Sequence, residues 1–163
     1  MTSGPVVKVL NDFQDLALQG TATQSSDYCS EMTAPHAIRG SFHSKKGFGG
    51  VGSYAHAKGS DRYSWWQVNV SHATFREKVV REVHIYGRPG YGRRLTHFQV
   101  QLFGADGRVL AEEFVRNEAE VEAVRIEING VEEAVACVRL TREGVESGNE
   151  RCLNLNAVQV FGW

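Results

Sequence analysis

The chain has no long apolar run: no stretch of its 163 residues approaches the roughly 20 apolar residues that a membrane-spanning helix needs, so that route across a bilayer is not expected. The opening residues, MTSGPVVKVL, lack the basic head and sustained apolar stretch of a secretory signal. Charge of one sign is also missing. Lys plus Arg number 18 against 19 Asp plus Glu, a net charge of -1, so no global field draws the chain to nucleic acid or to an anionic membrane. Any anion site has to be local. Cysteine is scarce: Cys29, Cys137 and Cys152 form an odd set that allows at most one intramolecular disulfide, with three possible pairings, and their spacing fits no zinc pattern. In AVACVRL, Cys137 reads as a small buried core residue. There is no repeat of fixed length, which argues against propellers and solenoids. Catalytic signatures are lacking as well. The sequence offers no His/Ser/Asp or Cys/His set, no phosphate-cradling glycine loop opening a helix, and no paired carboxylates, so it reads as non-enzymatic.

What is present is alternation with a period of two. In WWQVNV the apolar face is Trp66, Val68 and Val70; in REVHIY it is Val83 and Ile85; in LTHFQVQLF it is Phe98, Val100 and Leu102. VEAVRIEI sets Val124, Ile126 and Ile128 against Arg125 and Glu127, and ACVRL and LNAVQVFG continue the pattern. LAEEFVRNEAEVEAV has helix-forming composition, but its apolar positions keep no helical period, so an extended reading is preferred. Strands buried on one face and solvated on the other imply two sheets packed face to face. At 42% hydrophobic and 23% charged residues, the length suits one domain with a proper core. The expected fold class is all-β, a jelly-roll β-sandwich occupying residues 1–163, with its core over about residues 15–163.

Two segments stand outside this regularity. Residues 40–64, GSFHSKKGFGGVGSYAHAKGSDRYS, are too long and polar for a hairpin turn, and loops of such length in a compact domain are usually functional or disordered. Residues 84–95, HIYGRPGYGRRL, leave one strand and enter another through a turn with three arginines and a tyrosine. That is more charge than a connection needs.

The order LALQGTATQSSDY, APHAIRG, WWQVNV, VVREVHIYGR, RLTHFQVQLFG, ACVRLTREG and LNLNAVQVFG resembles the discoidin and coagulation-factor type C superfamily, and within it the fucose-binding F-type lectins. The resemblance runs from about Asp15 to Trp163 and implies a galactose-binding-domain-like jelly roll. It also implies a carbohydrate-binding, non-catalytic role with a glycan partner, fucose- or galactose-containing, and an extracellular setting. F-type lectins hold fucose with a histidine before the double tryptophan, an arginine ending the next strand, and a second basic residue in the pattern R-x-D-x-x-x-x-R/K. Charged donors suit the sugar oxygens, and an aromatic surface suits its apolar face. The positions this implies here are His56, Arg88 and either Arg93 or Arg94, with Tyr91 offering a stacking surface.

The departures are specific. Gly90 stands where the motif has aspartate, Leu95 stands at the second-basic spacing, and the lectins' paired cysteines are missing, so the fucose motif is degraded. The superfamily's calcium loop A-x-D-G-N reads AIRGS, with Arg39 and Ser41 at ligand positions, and Ala157 aligns with the acidic ligand of the last strand. Calcium requires hard oxygen ligands, some of them carboxylate. No metal or cofactor is therefore expected, and the Arg39 guanidinium would replace the ion. Plainer readings stand beside these. His56 reads also as a solvated loop histidine. Arg93 and Arg94, if extended, point opposite ways, so one at most enters a pocket. Trp66 belongs to the core and Trp65 covers a sheet face. The N-V-S sequon at Asn69 lies in a strand and is expected to be unused. The alternative function is a protein-interaction or scaffold domain that kept the jelly roll and lost sugar and calcium binding. Nucleic-acid binding through the basic loop ranks below both.

Overall fold

A computed structural model describes residues 14–38, 54–71, 78–116, 120–142 and 152–163. Among them ten strands form two antiparallel sheets, and no helix is long and apolar enough to cross a membrane. The strands are β1 (Gln14–Asp15), β2 (Thr21–Gln24), β3 (Ala55–His56), β4 (Trp65–Asn69), β5 (Val80–Gly87), β6 (Phe98–Phe103), β7 (Val109–Val115), β8 (Ala123–Glu127), β9 (Cys137–Arg142) and β10 (Asn154–Gly162). One sheet runs β1-β10-β5-β8 with β3 also paired to β10; the other runs β2-β4-β9-β6-β7. Short 3-10 turns at Leu16–Gln19, Ala34–Ile38 and Gly92–Arg94 join them.

The alternation expected from the sequence is the alternation that buries the core. Trp66, Val68, Phe98, Val100, Leu102, Val138 and Leu140 from one sheet meet Val83, Ile85, Ile126, Val158 and Val160 from the other. Each such side chain contributes about 1.5–3 kcal/mol when fully buried. Trp66 satisfies its one donor inside the core, Nε1 donating to the Ala34 carbonyl at 3.0 Å, and Trp65 lies half-buried on the outer face under the Arg139 guanidinium. LAEEFV is extended as β7, which pairs with β6 along its whole length and leaves Val115 as its one buried residue.

Two expectations need correction. Cys137 is not a core residue: Val138 and Leu140 take the inward phase of β9, which turns Cys137 outward, opposite Asn69 and half-buried. Cys29, Cys137 and Cys152 are all free thiols, and burial pushes the Cys137 and Cys152 pKa values up. The glycine-rich stretch is also not loop throughout. Its residues 40–53 lie outside the described residues, as does Arg39, but Ala55 and His56 form β3 against Leu155 and Asn154 of β10.

The last strand carries the irregularity that shapes one end of the sandwich. Leu155 pairs with Gly87 and Ala157 with Tyr86, so Asn156 is the extra residue of a β-bulge. A bulge inverts the side-chain phase. Val158 and Val160 reach the core from even positions, whereas Leu153 and Leu155, before the bulge, reach it from odd ones.

Candidate functional site

The turn after β5 follows from its sequence. Arg88-Pro89-Gly90-Tyr91 closes with the Tyr91 N–H donating to the Arg88 carbonyl at 3.0 Å. Proline presets the second position and Gly90, at φ 79, takes the left-handed conformation that the third requires. A single 3-10 turn follows, with Arg94 N–H donating to the Tyr91 carbonyl and Leu95 N–H to the Gly92 carbonyl. Gly92 is needed for a different reason: a Cβ there would lie 2.8 Å from the Val121 carbonyl oxygen. Leu95 then anchors the chain in the core, 2% exposed. Arg93 and Arg94 are therefore not extended. The tighter turn leaves Arg93 exposed and folds Arg94 back, half-buried, over Tyr91.

The Tyr91 ring receives both guanidinium groups, with Arg88 and Arg94 each 4.5 Å from its centroid, and Arg88 also lies 5.2 Å from the buried Tyr54 ring. Cation–π contacts of this kind hold an arginine without neutralising it. The Arg94 stretch is pinned from beneath. Arg142, 2% exposed at the end of β9, donates from one terminal nitrogen to the Arg94 carbonyl at 2.8 Å and to the Cys152 carbonyl at 3.1 Å. A buried arginine thus ties the basic turn to the start of β10, a role that LTREG in the sequence did not announce.

His56 is not the solvated loop histidine of the plainer reading. It is 5% exposed, because β10 pairs with it on one side and Tyr28 covers its ring at 4.6 Å between centroids. Its Nδ1 lies 2.6 Å from the Ala57 carbonyl, an oxygen that only accepts, so Nδ1 carries the proton and Nε2 the lone pair. Burial pushes the His56 pKa down, the Ala57 bond pulls it up, and the guanidinium groups of Arg94 and then Arg88 push it down further, leaving it below the ordinary histidine value. The imidazole is neutral at pH 7. The segment over it is fixed by Gln24, whose amide donates to the Met32 carbonyl at 2.9 Å, and by Ser25 and Ser26, whose hydroxyls meet Asp61.

The structure thus brings His56, Arg88, Tyr91 and Arg94 to one end of the sandwich and leaves Arg93 at its margin. It adds residues that were not expected there: Tyr28, Tyr54, Arg142 and Asn154. Asn154 is 3% exposed and stands directly across from His56 in the β3–β10 pair, and neither its Nδ2 nor its Oδ1 has a hydrogen-bond partner among the described residues. Its signal in the sequence is the broken phase of LNLNAVQV, where leucines at odd positions give way to valines at even ones. Chemically the cluster offers two charged donors, one neutral nitrogen acceptor, an amide and aromatic faces. Ala157, where the resemblance leads one to expect an acidic calcium ligand, is buried in β10 opposite Tyr86.

No protein-family model matches the chain, and no curated protein does. Solved structures do. The lectin domain of lectinolysin, complexed with Lewis B antigen, superposes with a TM-score of 0.74 at 22% identity, over 93% of this chain and 99% of that one. A fucose-binding module of Streptococcus pneumoniae gives 0.72 at 26% identity, over 91% and 95%. The fucolectin from striped bass (Morone saxatilis) serum gives 0.70 at 22% identity, over 93% of this chain and 50% of that one. The chain therefore has the two-sheet β-sandwich fold of these solved structures.

Proposed function

We propose that this chain is a non-catalytic carbohydrate-binding module that takes a small neutral sugar at the cluster of His56, Arg88, Tyr91 and Arg94. One observation carries the reading: two guanidinium groups stacked on a single tyrosine converge with a neutral, buried imidazole at one end of the sandwich. Hydroxyl groups both donate and accept, so a sugar can accept from the arginines and donate to His56 Nε2. The apolar face of a pyranose suits an aromatic rim, and Tyr28 at 55% exposure offers one. Solved structures of similar fold described as fucose-binding support the choice of ligand class. Arg94, one position short of the lectin spacing, supplies the second cation because the 3-10 turn folds it back. We also propose that no calcium is needed, since Arg39 and Ala157 cannot supply carboxylates.

A glycan array tests this. Wild-type protein is expected to bind fucosylated or galactosylated glycans, and Arg88→Ala to lose them. A clean blank with folded wild-type protein would overturn the reading in favour of a protein-interaction domain on the same scaffold.

A further inference from the structure

Asn154 is the residue at this end of the fold that the packing does not account for. It is 3% exposed, and both polar atoms of its carboxamide lack a partner among the described residues. A buried amide without partners is a standing cost to folding, so one that persists calls for a partner from outside the chain. The fold spends an irregularity on placing it there. Without the bulge at Asn156, Asn154 would share the inward phase of Val158 and Val160; with it, Leu153 and Leu155 take the core and Asn154 faces the other way. Residues directly opposite on antiparallel strands share a face, so Asn154 stands beside His56. On the opposite edge of β10, Leu155 pairs with Gly87, and Asn154 and Arg88 each lie one residue beyond that rung. His56, Asn154 and Arg88 therefore form a row across β3, β10 and the end of β5. Arg94 Nε is likewise buried without a hydrogen-bond partner among the described residues, and the Arg94 backbone is tied through Arg142 to Cys152, two residues before Asn154.

We propose that Asn154 is a specificity-determining contact of this site, its carboxamide reading two neighbouring hydroxyls of a neutral pyranose, Nδ2 donating to one and Oδ1 accepting from the other. This rests on the carbohydrate reading above. The two guanidinium groups can only donate and the neutral imidazole nitrogen only accepts, whereas the amide does both at adjacent atoms. It therefore selects for adjacent hydroxyls in a way the arginines do not, and a sugar lacking one of the pair leaves half of the amide buried and unmatched.

The test uses the full chain, with methyl α-L-fucoside and methyl β-D-galactoside as probes, and compares wild type with Asn154→Leu and Asn154→Ala by calorimetric titration and thermal melting. Leucine has the same number of side-chain heavy atoms and the same branch at Cγ as asparagine, and needs no hydrogen bond. Asn154→Leu is expected to melt at or above the wild-type temperature while binding the sugar at least tenfold more weakly. Alanine serves if leucine does not fit. Deoxygenating either recognised hydroxyl should weaken binding to wild type but cost little more in the variant. Sugar binding to wild type that survives undiminished in both variants would overturn the role of Asn154 alone, and would mean that a structural water occupies the amide. Failure of both sugars to bind wild type would overturn the carbohydrate reading together with it.

Discussion

His56 shows how a single side chain acquires a role from its surroundings. A histidine in solution titrates near 6.5, within the physiological range. Here burial and two neighbouring guanidinium groups hold the imidazole neutral below that pH, which fixes Nε2 as an acceptor. The same shift has a consequence for stability. Between the ordinary histidine pKa and the lowered folded value the unfolded chain binds more protons than the folded one, so stability falls as pH drops through that window and returns as it rises. The melting temperature of wild type is expected to fall between pH 7.5 and 5.5 more than that of His56→Gln. Equal slopes in the two proteins would show that His56 titrates normally. Nothing in SYAHAKG distinguishes this histidine from a solvated one. Its burial is produced by β10 and Tyr28, both far from it in sequence.

At the scale of elements, the turn RPGYGRR was legible because its chemistry is local. Proline, a glycine at positive φ and a second glycine against the Val121 backbone specify a bend and a tight turn, and the alternation on either side fixes where the strands stop and start. The Asn154 position was not legible, because a bulge inverts the phase that strand reading depends on, and the partner that stabilises the bulge is β5, some 70 residues away. The buried Arg142 was hidden for a similar reason: an arginine at a strand end reads as exposed until the two carbonyls it bridges are brought to it. Asp15 is a second long-range tie. Its Oδ1 accepts from Ala17 N–H at 3.0 Å and from Val160 N–H at 2.9 Å, so it caps the first 3-10 turn and fastens it to β10. Burial raises its pKa more than these bonds lower it. An asparagine keeps an oxygen for both donors and carries no charge to desolvate. Asp15→Asn is therefore expected to melt at or above wild type at pH 7, and Asp15→Ala to lose about 1–3 kcal/mol in a denaturant titration by orphaning the donors. A loss in Asp15→Asn as large as in Asp15→Ala would mean that the charge itself is needed.

For the whole molecule, two sheets with a well-packed interior provide a rigid frame, and the chemistry is concentrated where β3, β10 and the β5–β6 connection meet. The overall fold was readable from period-two patterning because both sheets obey it. The candidate site was readable only in part: the resemblance pointed to His56, Arg88, Tyr91, Arg93 and Arg94, whereas Tyr28, Tyr54, Arg142 and Asn154 come to the same end of the sandwich from other segments. If the scaffold dispenses with calcium, as proposed, melting temperature should not change on adding millimolar calcium or a chelator, and a large upward shift with calcium would refute that. Titrating L-fucose and D-galactose into wild type and Arg88→Ala at low and high salt would decide whether a neutral sugar binds at His56, Arg88 and Arg94. The expected result is that one of the sugars binds wild type with affinity that changes little with salt, and that Arg88→Ala weakens it by roughly 10- to 100-fold, the value of a charged hydrogen bond of about 1.5–3 kcal/mol. No binding of either sugar to folded wild-type protein, or binding unaffected by Arg88→Ala, would contradict it.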